Sequence, residues 1–164
     1  MTSTGPTSNL HRRFSLEVLN ESIYDHPKYY DLVFGNDVAA ERRFIEAAAD
    51  RYVSTQSPKL FEPACGTGRL MYALARRGYA VAGIDLNERA VDFCNQRFTR
   101  HGLPTTARVA DMAAFKTETK FDLAFNTINS FRHLATADAA EAHLSCMAAG
   151  AKKGAIYLIG IHLN

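Results

Sequence analysis

The segment Glu62-Pro63-Ala64-Cys65-Gly66-Thr67-Gly68 is the most informative part of this chain. It follows a short apolar run, 59–61, and precedes the segment 69–78, whose apolar residues recur at helical spacing. The predicted order is therefore strand, glycine turn and helix. Gly66 and Gly68 carry no Cβ and tolerate positive φ, so a ligand can approach bare backbone there. The helix that follows directs free N–H groups and a partial positive charge toward the same place.

A carboxylate stands at the end of the next predicted strand. Asp85 closes the apolar segment 80–84, one βα unit after the glycine turn. An acid at this strand end can accept hydrogen bonds from both hydroxyls of a ribose. A glycine turn alone is as often a tight connection as a ligand site, but together with Asp85 it indicates a nucleoside cofactor. Met71 occupies the position of the third glycine in the dinucleotide fingerprint, which disfavours an NAD site.

The composition is that of an ordinary globular protein. The 164 residues are enough for one domain with a hydrophobic core, and 47% of them are apolar and 22% charged. The net charge of +2 comes without a basic block, so nucleic acid binding is not indicated. No segment reaches the length of a membrane span, and residues 1–9 lack the apolar core of a signal peptide.

The three cysteines are Cys65, Cys94 and Cys146. Their odd number and wide spacing fit reduced thiols in the cytoplasm better than a disulfide or zinc framework, so no metal site is expected. Cys65 lies in the glycine turn, where a small residue that fills the turn is a better interpretation than a nucleophile.

Apolar strands alternate with amphipathic helices along most of the chain. We predict strands at 58–63, 80–84, 105–109, 121–126 and 154–161, and helices at 38–53, 67–78, 87–101 and 136–149. This alternation indicates an α/β fold, a Rossmann-like parallel sheet of order 3-2-1-4-5 with helices on both faces. Ligands bind such sheets at the carboxyl ends of the strands.

The N-terminal part is expected to contain a flexible tail and short helices. Residues 1–12 form the predicted tail, and 13–164 form a single domain. One or two helices are predicted over 14–33, broken at Asp25-His26-Pro27, and Asp37 is the predicted N-cap of the next helix.

Four ordered motifs resemble those of the class I S-adenosylmethionine-dependent methyltransferases. The segment 60–70 is similar to motif I of that family, and 83–87 resembles the acidic end of its second strand. The segment 109–112 resembles its adenine-binding turn, and 121–126 its fourth strand. The resemblance spans about residues 24–160. Ala64 stands where the commonest form of motif I has its first glycine, a mild change that is not expected to exclude binding.

The resemblance implies a role for each matched residue. Glu62 lies near the methionine part of the cofactor in such enzymes, Asp85 binds the ribose, and Asp111 accepts from the adenine amino group. The other cofactor-binding candidates that it implies are Ala64, Cys65, Gly66, Gly68, Arg69, Leu86, Met112, Asn126, Tyr29 and Tyr30. His133 follows the fourth strand and is a candidate general base, because an unperturbed histidine titrates near neutral pH. A loop histidine without a catalytic role is the alternative.

The resemblance predicts transfer of a methyl group from S-adenosylmethionine to an oxygen or nitrogen of a small-molecule acceptor. Positioning of the reactants and exclusion of water supply most of the acceleration in such a reaction, so no strong base is required. A cofactor-binding fragment or module without turnover is the first alternative. An NAD-dependent oxidoreductase is a less favoured one.

The fifth strand carries one more prediction. Members of the family normally continue beyond it with another helix and two strands, whereas three residues follow the apolar segment 155–161 here. We therefore expect the C-terminal strands of the family fold to be missing and an apolar sheet edge to be exposed. The expected consequence is self-association through that edge, binding of a partner segment, or poor solubility.

Overall fold

The computed structural model describes residues 21–35 and 37–161. The predicted tail and the first part of the predicted N-terminal helices lie outside the described residues. Within them, Ser22 caps a 3₁₀ turn, Ile23–Asp25, and helix α1 (Pro27–Phe34) follows with proline in its first turn. The predicted break around His26 is confirmed, since the 3₁₀ turn ends at Asp25 and α1 starts at Pro27. Proline is favourable at a helix start because the first helical N–H groups have no partner within the helix.

The remaining elements alternate between helix and strand. In chain order they are α2 (Ala39–Tyr52), β1 (Lys59–Pro63), α3 (Arg69–Ala75), β2 (Ala80–Asp85), α4 (Glu88–Arg100), β3 (Ala107–Val109), β4 (Phe121–Asn126), α5 (Ala137–Gly150) and β5 (Ala151–Ile159). All neighbouring strands pair in parallel, in the order β3-β2-β1-β4-β5. The predicted fold class and strand order are confirmed.

Several boundaries differ from the prediction, each for a local reason. Helix α3 ends at Ala75, because the chain turns through Gly78, which has φ +92°. Strand β5 begins at Ala151 rather than at residue 154, and its register against β4 shifts between Phe121 and Leu123. Gly154, with φ +82°, lies between the residues of β5 that pair on either side of this shift and permits the irregularity.

The predicted N-cap of α2 is wrong. The helix begins at Ala39, and its N-cap is Val38, which makes no side-chain capping bond. Asp37 therefore lies two positions before the first helical residue, outside the position from which a side chain accepts the first free N–H groups.

Helices cover both faces of the sheet. Alternate residues of each strand face opposite sides, so Leu60 and Phe61 of β1 enter different clusters. On one face the buried residues come from α2, α3 and α4, and they include Ile45, Leu70, Met71, Leu74, Val91 and Phe98. On the other face the buried residues are Phe61, Ile84, Phe115, Phe121, Ala124 and, from α5, Met147.

Two close contacts set how α3 sits on the sheet and on α4. A Cβ on Gly83 of β2 would lie 2.5 Å from Sδ of Met71. A Cβ on Gly68, just before α3, would lie 2.2 Å from Sγ of Cys94 in α4. The small residue that permits close helix–strand packing is therefore Gly83 in β2, and the large residue is Met71 in α3. In the dinucleotide-binding fingerprint the small residue, the third glycine, lies in the helix instead.

Candidate active site

A cavity of about 890 Å³ opens at the carboxyl ends of the strands. It lies beside the point where the chain order reverses between β1 and β4, where ligands bind in open α/β sheets. Its volume is within the range of small-molecule sites. Its lining includes Tyr24, Asp25, Tyr30, Ala64, Gly66, Thr67, Asp85, Leu86, Asp111, Met112, Ile128, Ser130 and His133. A cleft beside it is lined by Glu62, Cys65, Arg69, Asn126 and Thr127 as well as shared residues.

The turn after β1 has alternating positive φ angles: +56° at Ala64, +53° at Gly66 and +69° at Gly68. Glycine adopts this left-handed region freely, whereas Ala64 is strained there by roughly 1–2 kcal/mol. The replacement of glycine by Ala64 is thus a change of backbone energy as well as of size. The methyl group of Ala64 also borders the cavity.

The two glycines of the turn have different tasks. A Cβ on Gly66 would lie 4.0 Å from both Oδ2 of Asp85 and the ring of Tyr30, at the cavity wall. Gly68 is absent from the lining of both the cavity and the cleft, and its close neighbour is Cys94. Gly68 therefore serves helix packing in this structure, and Gly66 is the glycine that brings backbone to the cavity.

Asp85 holds the turn together. Its Oδ2 accepts from the backbone N–H of Gly66 at 2.7 Å, and its Oδ1 accepts from the backbone N–H of Asn87 at 2.9 Å. A carboxylate offers about four acceptor sites, so each oxygen keeps one for a ligand. The side chain is half-buried and lines the cavity. Asp85 thus combines a ligand-facing position with a supporting role that the sequence did not reveal.

Glu62 is a buried acid with an unsatisfied oxygen. The residue is 6% exposed, and its Oε2 has no hydrogen-bond partner among the described residues. Burial raises the pKa of this carboxyl well above 4.5, Glu41 and Asp85 raise it further, and Arg69 opposes them. A buried carboxyl oxygen without a partner is costly in the free protein, and a cationic ligand group in the cleft would satisfy it.

Arg69 does not have the exposed position of an ordinary first-turn arginine. It is 8% exposed and donates to Glu41 of α2 through Nη1 at 3.0 Å and Nη2 at 2.7 Å. Thr127, after β4, also donates to Glu41 at 2.5 Å. Burial alone would raise the pKa of Glu41, but the bonds from Arg69 and Thr127 outweigh it and hold that pKa below its usual value. Glu41 was missed by sequence reasoning.

The residues expected around an adenine lie along the β2 and β3 ends of the cavity. Leu86 is 73% exposed and lines the cavity. Asp111 accepts from the N–H of Ala113 at 2.8 Å through Oδ1. The carbonyl of Met112 lies 2.8 Å from Nδ1 of the buried His143. The predicted trio is brought together on one wall, and His143 is an addition from the structure.

At the end of β4, Asn126 is 2% exposed. Its Nδ2 lies 3.4 Å from the Pro63 carbonyl, and its Oδ1 is buried without a partner among the described residues. His133, in the 3₁₀ turn Ser130–His133, lines the cavity, and its ring meets that of Tyr24 edge-on at 6.1 Å.

The two predicted tyrosines of α1 differ in whether they reach the cavity. Tyr30 lines both the cavity and the cleft, whereas Tyr29 is 61% exposed and lines neither. Burial and the neighbouring Tyr24 raise the pKa of Tyr30, which keeps its phenol neutral. Helix α1 is held there by Asp31, which accepts from Thr67 at 3.0 Å and pairs with Arg97 of α4. Asp31 was not singled out from the sequence.

Cys65 is 4% exposed, and burial raises the pKa of its thiol well above 9.0. A thiol that stays protonated is a poor nucleophile, so the structure favours the turn-filling interpretation. Among residues 21–35 and 37–161, no group of three or more His, Cys, Asp or Glu side chains is arranged to hold a metal ion. None of the helices described there is long and apolar enough to cross a bilayer.

Known proteins share this architecture. The sugar N-methyltransferase KedS8 from Streptoalloteichus sp. superposes with a TM-score of 0.72 at 21% identity, covering 100% of this chain and 61% of that one. DesVI from Streptomyces venezuelae gives 0.70 at 24% identity, covering 82% and 56%. This chain thus spans between half and two thirds of the length of these two proteins. A TehB-like S-adenosylmethionine-dependent methyltransferase from Corynebacterium glutamicum gives 0.66 at 26% identity, covering 82% and 71%.

A family model also matches the sequence itself. The model described as a methyltransferase domain matches residues 61–154, which is more than half of the chain and includes the glycine turn and the ends of β2, β3 and β4. The chain belongs to this methyltransferase domain family.

Proposed function

We propose that this chain binds S-adenosylmethionine and transfers its methyl group to a small-molecule acceptor. The observation that carries the proposal is the buried, unpartnered Oε2 of Glu62 beside the glycine turn. An ammonium group placed there satisfies the oxygen and reduces the cost of ionising a carboxyl whose pKa burial has raised. S-adenosylmethionine carries such an ammonium, together with an adenosine and a transferable methyl on a sulfonium.

The proposed contacts run along the whole cavity. Asp85 accepts from the ribose hydroxyls with the acceptor sites that Gly66 and Asn87 leave open. Asp111 accepts from the adenine amino group, Leu86 and Met112 flank the ring, and Tyr30 covers the turn. Ala64 and Gly66 contribute backbone groups to the proposed site, and Asn126 contributes its unpartnered Oδ1. Arg69 and Cys65 line the cleft beside the cavity. Gly68 and Tyr29 line neither the cavity nor the cleft, so no direct cofactor contact is proposed for them.

The work of the protein in this proposal is to hold the reactants and exclude water. Methyl transfer from a sulfonium needs little acid–base help, so orientation supplies up to roughly 7–11 kcal/mol of the acceleration in well-ordered cases. Thr127, held by Glu41, fixes the backbone after β4 where the acceptor would lie. His133 stands at the cavity wall opposite Tyr24 and is the proposed base for an acceptor that must lose a proton.

The acceptor atom is proposed to be a nitrogen or an oxygen, with a nitrogen favoured. Asp25 and Glu88 line the cavity without an assigned cofactor contact, and Arg89 is the one arginine or lysine among its described lining residues. An acidic wall attracts a protonated amine, which must then give up its proton before it can attack. KedS8 and MtfA, a sugar and a glycopeptide N-methyltransferase, support this choice by analogy of fold.

Mass spectrometry of small amines incubated with the chain and S-adenosylmethionine tests the activity. A gain of one methyl group on an amino sugar or peptide amine, dependent on intact Asp85, is the expected result. Cofactor binding without turnover on amines or alcohols would support the alternative of a binding module. An NAD-dependent oxidoreductase remains the less favoured alternative because Met71 fills the place of the third fingerprint glycine.

We also propose that the outer edge of β5 pairs with a second copy of the chain. Within the described residues β5 pairs with β4 alone, and Ile159 and Ile161 are 38% and 51% exposed. Unpaired N–H and C=O groups on such an edge form a template for another strand. Sedimentation should reveal a concentration-dependent dimer, and a monomer at all concentrations would contradict this proposal.

A cytoplasmic location is proposed on the strength of the cysteines. Cys65, Cys94 and Cys146 are free thiols in the structure, and thiols persist in reducing compartments. Fractionation of cells that produce the protein tests the location directly.

A further inference from the structure

The buried His143 of α5 has both ring nitrogens engaged. It is 0% exposed, with Nδ1 2.8 Å from the carbonyl oxygen of Met112 and Nε2 2.9 Å from the hydroxyl of Tyr157. A carbonyl only accepts, so Nδ1 carries the proton, and Nε2 accepts from the phenol. Burial raises the pKa of Tyr157, so the phenol keeps the proton that it donates. The neutral Nδ1–H tautomer therefore satisfies both hydrogen-bond partners of the His143 ring.

The Met112 carbonyl belongs to the same peptide group as the N–H of Ala113. That N–H donates to Oδ1 of Asp111 at 2.8 Å. Because a trans peptide is planar, its C=O and N–H point in opposite directions, so one peptide group bridges His143 to Asp111. Hydrogen bonds in such a chain polarise and strengthen one another. The orientation of the Asp111 carboxylate at the cavity wall thus depends on a histidine that does not line the cavity.

A second contact from α5 holds the same loop. Cys146, three residues after His143 and on the same side of the helix, has its Sγ 3.6 Å from the carbonyl of Ala113. Ala139, four residues before His143, is also among the residues that line the cavity. One face of α5 therefore supports the loop from below.

We propose that His143 is a positioning residue for the cofactor, which holds Oδ1 of Asp111 through the Met112–Ala113 peptide and leaves Oδ2 to accept from an amino group on a bound purine. This inference rests on the proposed function, because it assigns Asp111 to the adenine. It adds that recognition of the amino group depends on a hydrogen bond donated by Nδ1 of His143 to a backbone carbonyl.

Two substitutions separate the two nitrogens. The amide of His143→Asn reaches the place of Nδ1 and can still donate to Met112, whereas the amide of His143→Gln reaches the place of Nε2 and contacts Tyr157 instead. The probes are S-adenosylhomocysteine and its 6-deamino analogue, which has hydrogen in place of the adenine amino group. Binding of each probe to each variant is measured by titration calorimetry.

His143→Gln should weaken S-adenosylhomocysteine binding about fivefold, which corresponds to one hydrogen bond, and should change binding of the 6-deamino analogue by less than about twofold. His143→Asn should retain most of the preference for the amino group. Equal losses for both probes, or no loss with His143→Gln, would overturn the proposal while leaving the proposed function intact. Wild-type chain that binds neither probe would instead remove the proposed function, and this inference with it.

If His143→Gln does not fold, the wild-type chain labelled with ¹⁵N decides the matter. The resonances of His143 Nδ1–H and of the Ala113 amide should both move on saturation with S-adenosylhomocysteine. They should move less with the 6-deamino analogue. The proposal would be overturned if the two resonances moved equally with both probes, or if they did not move although both probes bind.

Discussion

The backbone N–H of Gly66 donates to Oδ2 of Asp85 at 2.7 Å, so the end of β2 holds the turn that follows β1. The other oxygen of the same carboxylate accepts from Asn87, which begins the approach to α4. Asp85 is therefore both a support of the turn and a proposed partner of the ribose. Its removal should affect the backbone and the ligand together.

Asp85→Ala should lower the affinity for S-adenosylhomocysteine by at least about tenfold, because two charge-assisted hydrogen bonds are lost. It should also lower the free energy of unfolding by about 1–3 kcal/mol, because the amides of Gly66 and Asn87 lose their acceptor. Calorimetric titration and urea denaturation measure the two effects. Asp92→Ala, at an exposed site on α4, is the matched control and should change neither. Unchanged affinity in Asp85→Ala would contradict the ribose assignment.

Glu62→Gln should make the free chain more stable at alkaline pH. Burial raises the pKa of Glu62 in the folded chain above the usual 4.5, so the folded state holds the proton more tightly than the unfolded state. The free energy of unfolding therefore falls as pH rises from about 4.5 through the folded pKa, and glutamine removes this loss. Urea denaturation at pH 4 and pH 8 should reveal a gain over wild type at pH 8 alone.

The same Glu62→Gln substitution should weaken binding of S-adenosylhomocysteine, because an amide cannot neutralise an ammonium. Glu141→Gln, at an exposed position on α5, removes the same charge elsewhere and should leave both stability and binding unchanged. A variant that gains stability and binds as tightly as wild type would mean that Glu62 does not face the ligand.

Ala64→Gly should raise the free energy of unfolding by about 0.5–1 kcal/mol. Glycine removes the strain of φ +56°, roughly 1–2 kcal/mol, and gives back part of that gain as extra freedom in the unfolded chain. Ala47→Gly, in an exposed position within α2, is the control and should cost about 1 kcal/mol, as glycine does in helices. Equal losses in the two variants would indicate that Ala64 is not strained.

Gly68→Ala should be more destabilising than Gly78→Ala by about 1–3 kcal/mol, the usual cost of overpacking. Both glycines have positive φ, +69° and +92°, but a Cβ on Gly68 would overlap Cys94 whereas one on Gly78 meets nothing within 4 Å. Thermal denaturation of both variants measures the difference. Adding Cys94→Ala to Gly68→Ala should recover part of the loss, and the absence of any recovery would place the contact elsewhere.

The sequence predicts those parts of the site that follow strand ends. Asp85 is the last residue of β2, and Gly66 and Asp111 follow shortly after the ends of β1 and β3. Parallel strands bring their carboxyl ends to one edge, where all three residues line the cavity. The hydrophobic periodicity of the sequence predicts where the strands lie, and the order of the motifs predicts which residues line the cavity. These residues could be named without a structure, because their neighbours in the chain determine where they lie.

The supporting contacts could not be predicted, because they join residues far apart in sequence. Arg69 meets Glu41 across 28 positions, and Thr127 meets Glu41 across 86. Asp31 meets Thr67 across 36 positions, and no local pattern distinguishes it from any other acid on an N-terminal helix. The orientation of a side chain that is shared between helices depends on how those helices pack, and periodicity does not specify that.

Titration calorimetry of the purified chain with S-adenosylhomocysteine, and separately with NAD, is the decisive test of the proposed cofactor. The cavity at the ends of β1 to β4 should bind one S-adenosylhomocysteine saturably, because the unpartnered Glu62 suits a cationic amino-acid moiety. NAD should give no saturable binding, because Met71 stands in place of the third glycine of the dinucleotide fingerprint. Saturable binding of NAD together with no heat from S-adenosylhomocysteine would contradict the account.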